Sequence, residues 1–251
     1  MISCRHLMSR TMSTKVLCDM TNSSVHLHQL FDTTSSTFTY LISCEKSKEC
    51  ILIDPVLEQI DRDTTLIKSL GLKLTHAINT HCHADHVTST GTLKSSYDFK
   101  TLISKNSGAK ADILLNGNKE FIHWGINQKL QVLSTPGHTS GCISLYEATL
   151  GVFTGDALMI NGCGRTDFQD GDSEQLYDSV HEQLFTLPLN TVVYPAHDYN
   201  NKTSSTIGIE KESNSRLSQS KKVFVEIMNN LNLPYPAKID IAVPLNLRCG
   251  V

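Results

Sequence analysis

Short apolar runs closed by glycine, proline or aspartate alternate with amphipathic stretches along this chain. Thr37-Phe38-Thr39-Tyr40-Leu41-Ile42 predicts a strand. Cys50-Ile51-Leu52-Ile53 answers it after a polar turn and ends at Asp54-Pro55, so the two predict a hairpin. Residues 57 to 70 predict a helix with Ile60, Leu66, Ile67 and Leu70 on its inner face and Gly71 closing it. Leu74 to Thr80 reads as a buried strand, and Val87 to Gly91 as a turn into a helix. Further strands are predicted at Lys129 to Ser134, Gly151 to Thr154 and Thr191 to Tyr194. Asp172 to Leu187 predicts a second helix, with Leu176, Val180 and Leu184 at spacing four. Ser218 to Leu231 predicts a third, with Phe224, Ile227, Met228 and Leu231 inward. Phe38, Tyr40 and Trp124 are expected in the core. Strands and helices interleave, so the class is α/β or α+β with mixed sheets.

The chain has 251 residues and no linker, repeat or low-complexity segment, so residues 21 to 251 are expected to form one domain. A net charge of −3 without a basic run argues against a nucleic-acid surface. No apolar run approaches the roughly 20 residues of a membrane span. Eight cysteines are scattered without a C-x-x-C pair, the pattern of free thiols in a reducing compartment. The first residues differ from the rest. Arg5, Arg10 and Lys15 lie among serines and threonines, and no acid occurs before Asp19. That is the composition of a mitochondrial transit peptide, expected over residues 1 to 20.

Chemistry concentrates in His81-Cys82-His83-Ala84-Asp85-His86, where three imidazoles and a carboxylate share the spacing H-x-H-x-D-H. Neutral imidazole nitrogen and carboxylate oxygen are ligands for zinc, iron and manganese. Similar groups follow three other predicted strands. His138 comes in Thr135-Pro136-Gly137-His138, Asp156 in Gly155-Asp156, and His197 in Pro195-Ala196-His197-Asp198. Gly137 and Gly155 let the backbone turn so that the next side chain can reach a shared centre. Any one of these is weak alone; the ordered set is strong. Cys82 is left out of the ligand set, because alternate side chains on an extended segment point apart.

This set resembles the metallo-β-lactamase superfamily. The resemblance implies a four-layer αββα sandwich of two mixed β-sheets, with metal at one edge. The generic ligands fall on His81, His83, Asp85, His86, His138, Asp156 and His197. Two chemistries fit them. One is a dinuclear zinc thioester hydrolase of glyoxalase II type, with Asp156 shared between the metals. The other is a mononuclear iron oxygenase in which two histidines and a carboxylate leave positions open. A metal-free structural member is a third reading, which the complete ligand set disfavours. Elemental analysis separates them: two zincs, one iron, or none.

The residues after the ligands favour the second chemistry. Residues 198 to 251 are too few for the helical glutathione-binding domain of glyoxalase II. Gly162-Cys163-Gly164-Arg165-Thr166-Asp167-Phe168-Gln169 and the closing Arg248-Cys249-Gly250-Val251 closely resemble the mitochondrial persulfide dioxygenases. That resemblance implies oxidation of glutathione persulfide by O₂ and water to sulfite and glutathione. It implies one Fe(2+) per chain on His81, His138 and Asp156, with no catalytic group beyond the metal centre. His83, Asp85, His86 and His197 would surround that site, ordering water and orienting the ligands. Arg165, Tyr199 and Arg216 match positions expected to hold glutathione, whose carboxylates suit a guanidinium fork. Cys163 and Cys249 are given no catalytic step. The implied location is the mitochondrial matrix, and a homodimer is compatible with the sequence.

Overall fold

A computed structural model describes residues 12–18, 24–118 and 120–251. Among these, seven strands lie side by side in chain order: β1 (Met12–Cys18), β2 (Ser24–Asp32), β3 (Thr37–Cys44), β4 (Glu49–Ile53), β5 (Lys73–Ile78), β6 (Lys100–Ser104) and β7 (Ile113–Leu115). Pairing is antiparallel from β1 to β4 and parallel from β4 to β7, so the sheet is mixed. A second, six-stranded sheet holds β8 (Phe121–Trp124), β9 (Gln128–Ser134), β10 (Ile143–Glu147), β11 (Gly151–Gly155), β12 (Val192–Pro195) and β13 (Ser205–Thr206). Only β11 and β12 run parallel there.

The predicted strands become β3, β4, β5, β9, β11 and β12, each within about two residues of its expected ends. Every residue of β3 is buried, because both faces of the strand are covered. Phe38, Tyr40 and Ile42 face the second sheet, where they pack with Phe153 and Tyr194. Leu41 faces the other way, toward Ile67 of α1 (Ile60–Ser69) and Leu52. Trp124 joins the inter-sheet core as expected. Leu70 does not belong to the inner face of the first helix; it is 39% exposed just past the last helical residue. A short helix α2 (Thr90–Leu93) follows the predicted turn.

On the outer face of the second sheet, α3 (Ser173–Ser179) brings Leu176 against Val152 and Val193. The predicted α-helical spacing breaks after Ser179. Val180–Leu184 form a π turn, closed by the Phe185 N–H on the Val180 carbonyl at 2.8 Å. Val180 and Leu184 stay buried. Three helices complete the chain: α4 (Ile207–Ser213), α5 (Lys221–Asn229) and α6 (Ile239–Asn246). Phe224 and Met228 of α5 seal the outer core of the second sheet. Helix, sheet, sheet, helix is the four-layer order expected.

The expected transit peptide lies partly outside the described residues; Met12–Cys18 within it pair with β2 as β1. The six cysteines from Cys44 onward that are described are all free thiols. Among the described residues, no helix is long and apolar enough to cross a membrane.

Candidate metal centre

Each candidate ligand leaves the end of a strand. His81, His83, Asp85 and His86 follow β5, His138 follows β9, Asp156 follows β11, and His197 follows β12. Gly155 adopts φ 54°, and a Cβ there would lie 2.7 Å from the Thr80 hydroxyl; Gly137 adopts φ 132°, and its Cβ would lie 2.3 Å from the Leu176 backbone. Both turns therefore require glycine.

The seven side chains form two adjoining groups. In each of the sets His81–His138–Asp156 and His83–Asp85–His86–His197, one ligand atom per residue lies within 4.8 Å of all the others. Hydrogen bonds fix the ring tautomers of the first set. The Thr80 hydroxyl donates to Asp54 Oδ2 at 2.8 Å, so it accepts from His81 Nδ1 at 3.0 Å. The Arg165 carbonyl accepts from His138 Nδ1 at 2.5 Å. Both rings thus turn a bare Nε2 toward Asp156 Oδ2, at 3.9 and 3.6 Å respectively. Burial, reinforced by His83, holds the His81 imidazole well below its usual pKa, hence neutral. Three acceptor atoms around one point, with no donor among them, suit a cation.

The second set is organised by charge. His197 contacts Asp156 Oδ1 through Nδ1 at 2.6 Å and Asp85 Oδ2 through Nε2 at 3.0 Å. Carboxylates cannot donate, so both ring nitrogens do, and His197 is an imidazolium. Burial opposes that charge, but Asp156 and Asp85 outweigh it and raise the pKa well above normal. Burial likewise raises both carboxyls, and His197 outweighs it, leaving each well below the usual carboxylate range. His86 Nδ1 reaches Asp85 Oδ2 at 2.9 Å, and His83 Nε2 reaches Asp54 Oδ1 at 3.0 Å. The remaining ring atoms, His83 Nδ1 and His86 Nε2, are buried without a hydrogen-bond partner. These orphaned nitrogens belong to the second set and are a feature that a second metal would satisfy; they do not bear on the first set.

A cavity of roughly 640 Å³ is lined by His81, His138 and Asp156 together with Arg165, Tyr199 and Arg216. Residues distant in sequence are therefore brought to one place. The two arginines differ in what they hold. Arg165 is engaged throughout: Nε and Nη2 reach the Asp167 carboxylate at 2.6 and 2.7 Å, and Nη1 reaches the Pro234 carbonyl at 2.7 Å. Its guanidinium also lies 4.7 Å above the Phe168 ring. Leu233 to Ala237 form part of the cavity lining, so Arg165 ties down that wall. Arg216 donates to the Cys163 carbonyl at 3.0 Å and has no carboxylate within ion-pair distance among the described residues. Tyr199 is 66% exposed and lies parallel to the His197 ring, centroids 6.2 Å apart. Cys163 also lines the cavity, and burial pushes its thiol up to about 11 against the pull of Arg216. Cys82 turns its sulfur toward the Val243 carbonyl, away from the ligands. Cys249 contacts Thr90 at 3.3 Å, outside the cavity.

Three residues that the sequence did not single out complete the network. Asp54 accepts from the Thr80 N–H at 2.7 Å as well as from the Thr80 hydroxyl and His83. Thr37 Oγ1 lies 3.2, 3.3 and 3.1 Å from Asp85, His86 and His197. Asn246 binds the backbone of the H-x-H-x-D-H loop. Asp54 sits at a strand end, as the ligands do, and that placement was a usable sign. Nothing local marks Thr37 or Asn246.

Residues 32–111 and 118–197 match the metallo-β-lactamase superfamily. The mitochondrial persulfide dioxygenase ETHE1 of Mus musculus is 52% identical over 230 residues, covering 90% of this chain and 89% of that protein. A solved structure of ETHE1 from Myxococcus xanthus superposes with a TM-score of 0.86 at 48% identity, covering 90% of this chain and 99% of that one. A hydroxyacylglutathione hydrolase from Polaromonas is more distant, 33% identical over 64% of this chain and 62% of that protein.

Proposed function

This chain belongs to the persulfide dioxygenase family of the metallo-β-lactamase superfamily, and on that premise we propose a specific substrate, metal and site. It is an enzyme of the dioxygenase type that holds a metal in its His/Asp cluster. The proposed reaction is glutathione persulfide plus O₂ plus water giving glutathione and sulfite. The proposed metal is one Fe(2+) on His81, His138 and Asp156. The observation that carries this reading is the cavity lined by three bare acceptor atoms and by a guanidinium that has no carboxylate partner among the described residues.

A ferrous ion held there supplies the redox chemistry toward O₂. The chain's own groups do the rest. His197, as an imidazolium, holds Asp156 by one oxygen and leaves the other facing the two bare nitrogens. Arg216 is proposed to take a glutathione carboxylate and Tyr199 to flank the bound thiol. Arg165 is proposed to shape the same pocket through its grip on residues 233 and 234. The mitochondrial designation of the relatives supports a mitochondrial address. The composition of residues 1 to 20 supports a transit peptide, whose removal would take β1 from the edge of the first sheet and leave residues 21 to 251 as the working domain in the matrix. Metal analysis of the purified protein is expected to give one iron per chain, with O₂ uptake on glutathione persulfide and none on glutathione. Two tightly held zincs with thioester hydrolysis would overturn the proposal.

A further inference from the structure

The C-terminal block Ile239 to Val251 supplies none of the residues that line the cavity. Its tie to the ligand loop is made chiefly by one side chain, beside the looser approach of the Cys82 sulfur to the Val243 carbonyl at 3.9 Å. Asn246, the last residue of α6, is 4% exposed, and three of its four hydrogen-bonding capacities go to one loop. Its Oδ1 accepts the Thr88 N–H at 2.9 Å. Its Nδ2 donates to the His83 and His86 carbonyls, at 2.9 Å each. The tail then continues along the same element, where the Cys249 carbonyl accepts the Gly91 N–H at 2.8 Å.

We propose that Asn246 is a positioning residue for the metal centre. It fixes the backbone of residues 83–88 and, through Asp85 and His197, sets the direction of the Asp156 carboxylate. The route is a chain of direct contacts. The clamped loop carries Asp85, whose Oδ2 accepts the hydrogen bond of His197 Nε2–H at 3.0 Å. His197 then grips Asp156 Oδ1 at 2.6 Å, which leaves Oδ2 toward His81 and His138. Both buried carbonyls need a donor, and Asn246 provides it. An amide is required, because it donates twice while accepting once. A carboxylate of the same shape accepts only, and it would face two carbonyl oxygens.

The inference rests on the assignment of His81, His138 and Asp156 as ligands, and the test separates the two. Chelator-stripped protein is titrated with Co²⁺, reading the dissociation constant and the visible absorption of the bound ion. Asn246→Asp and Asn246→Ala are expected to weaken Co²⁺ binding about 10- to 100-fold and to alter the bound spectrum. The KM for the persulfide should stay within about twofold. Ile122→Val, a core change on β8 at the edge of the second sheet, should lower the melting temperature and leave Co²⁺ binding as in the wild type. Asn246→Asp keeps the side-chain volume and the acceptor for Thr88, so it decides the matter if the alanine variant does not fold. Amide exchange on the stripped wild type adds a readout independent of any variant: the Thr88 N–H should be protected without metal. Wild-type Co²⁺ affinity and spectrum in Asn246→Asp, or rapid exchange at Thr88, overturns the proposal. If His81→Ala and Asp156→Ala also bind Co²⁺ normally, the ligand assignment fails instead.

Discussion

Replacing Arg216 by alanine tests how the cavity captures substrate. The guanidinium donates to the Cys163 carbonyl at 3.0 Å, and among the described residues no carboxylate lies within ion-pair distance of it. A charge-assisted hydrogen bond to a ligand carboxylate is worth about 1.5–3 kcal/mol, which converts to roughly 10- to 150-fold in kcat/KM. The carboxylate is remote from the reacting sulfur and is held alike in substrate and transition state, so the loss should fall mainly on KM. Arg216→Lys should recover only part, because an ammonium lacks the planar fork. Added salt should raise KM in the wild type and much less in Arg216→Ala. The assay is O₂ uptake against glutathione persulfide at two ionic strengths, with iron content measured on the same samples. An unchanged KM at equal iron content refutes the argument. Arg165→Ala is the informative contrast. That side chain is occupied by Asp167 and the Pro234 carbonyl, so its loss should lower the melting temperature and disturb kcat and KM together. A pure KM effect with unchanged melting would show that Arg165 leaves Asp167 to hold substrate.

Asp156→Ala should lose iron and turnover, whereas His197→Ala should keep most of its iron with roughly 10- to 100-fold loss in affinity or activity; equal metal loss would favour a dinuclear site. Gly155→Ala should destabilise the fold by about 1–3 kcal/mol in urea melts and weaken metal binding, since φ is 54° and the added carbon meets Thr80; wild-type behaviour would mean that the turn relaxes freely. Burial raises the Asp63 carboxyl to about 6 despite Arg62 beside it. The folded protein therefore keeps a proton that the unfolded chain releases near its ordinary value, and stability from this group falls as pH rises from about 4 through 6. Asp63→Asn should flatten that fall in melts at pH 5 and 7.5, and an identical slope would refute it.

The ligands were legible because each follows directly on an apolar strand, so local pattern and site coincide at His81, His138, Asp156 and His197. The layers were legible for the same reason: β3 carries its inward and outward faces in strict alternation. What stayed hidden depends on contacts across the fold. Pro244 inside α6 masks a helix, and Asn246 has meaning only beside a loop some 160 residues earlier. The polar run over residues 204 to 213 conceals α4, whose Glu210 is buried by bonding to Asn161 and Asn214. At Val180 the spacing of four predicted a continuous α-helix, and the π turn kept the same residues buried with a different ladder.

The buried thiols have a consequence for an enzyme whose proposed substrate carries transferable sulfur. Attack on a persulfide needs a thiolate. Burial pushes Cys82 and Cys163 up to about 11, and Cys50 and Cys142 up to about 12. At pH 8 a thiol at about 11 is ionised in roughly one molecule in a thousand. Cys163 borders the cavity, yet burial disfavours the thiolate that would accept the outer sulfur atom. Transfer of sulfur from the pocket onto Cys163 is thereby slowed, and mass spectrometry after many turnovers should find Cys163 still a free thiol.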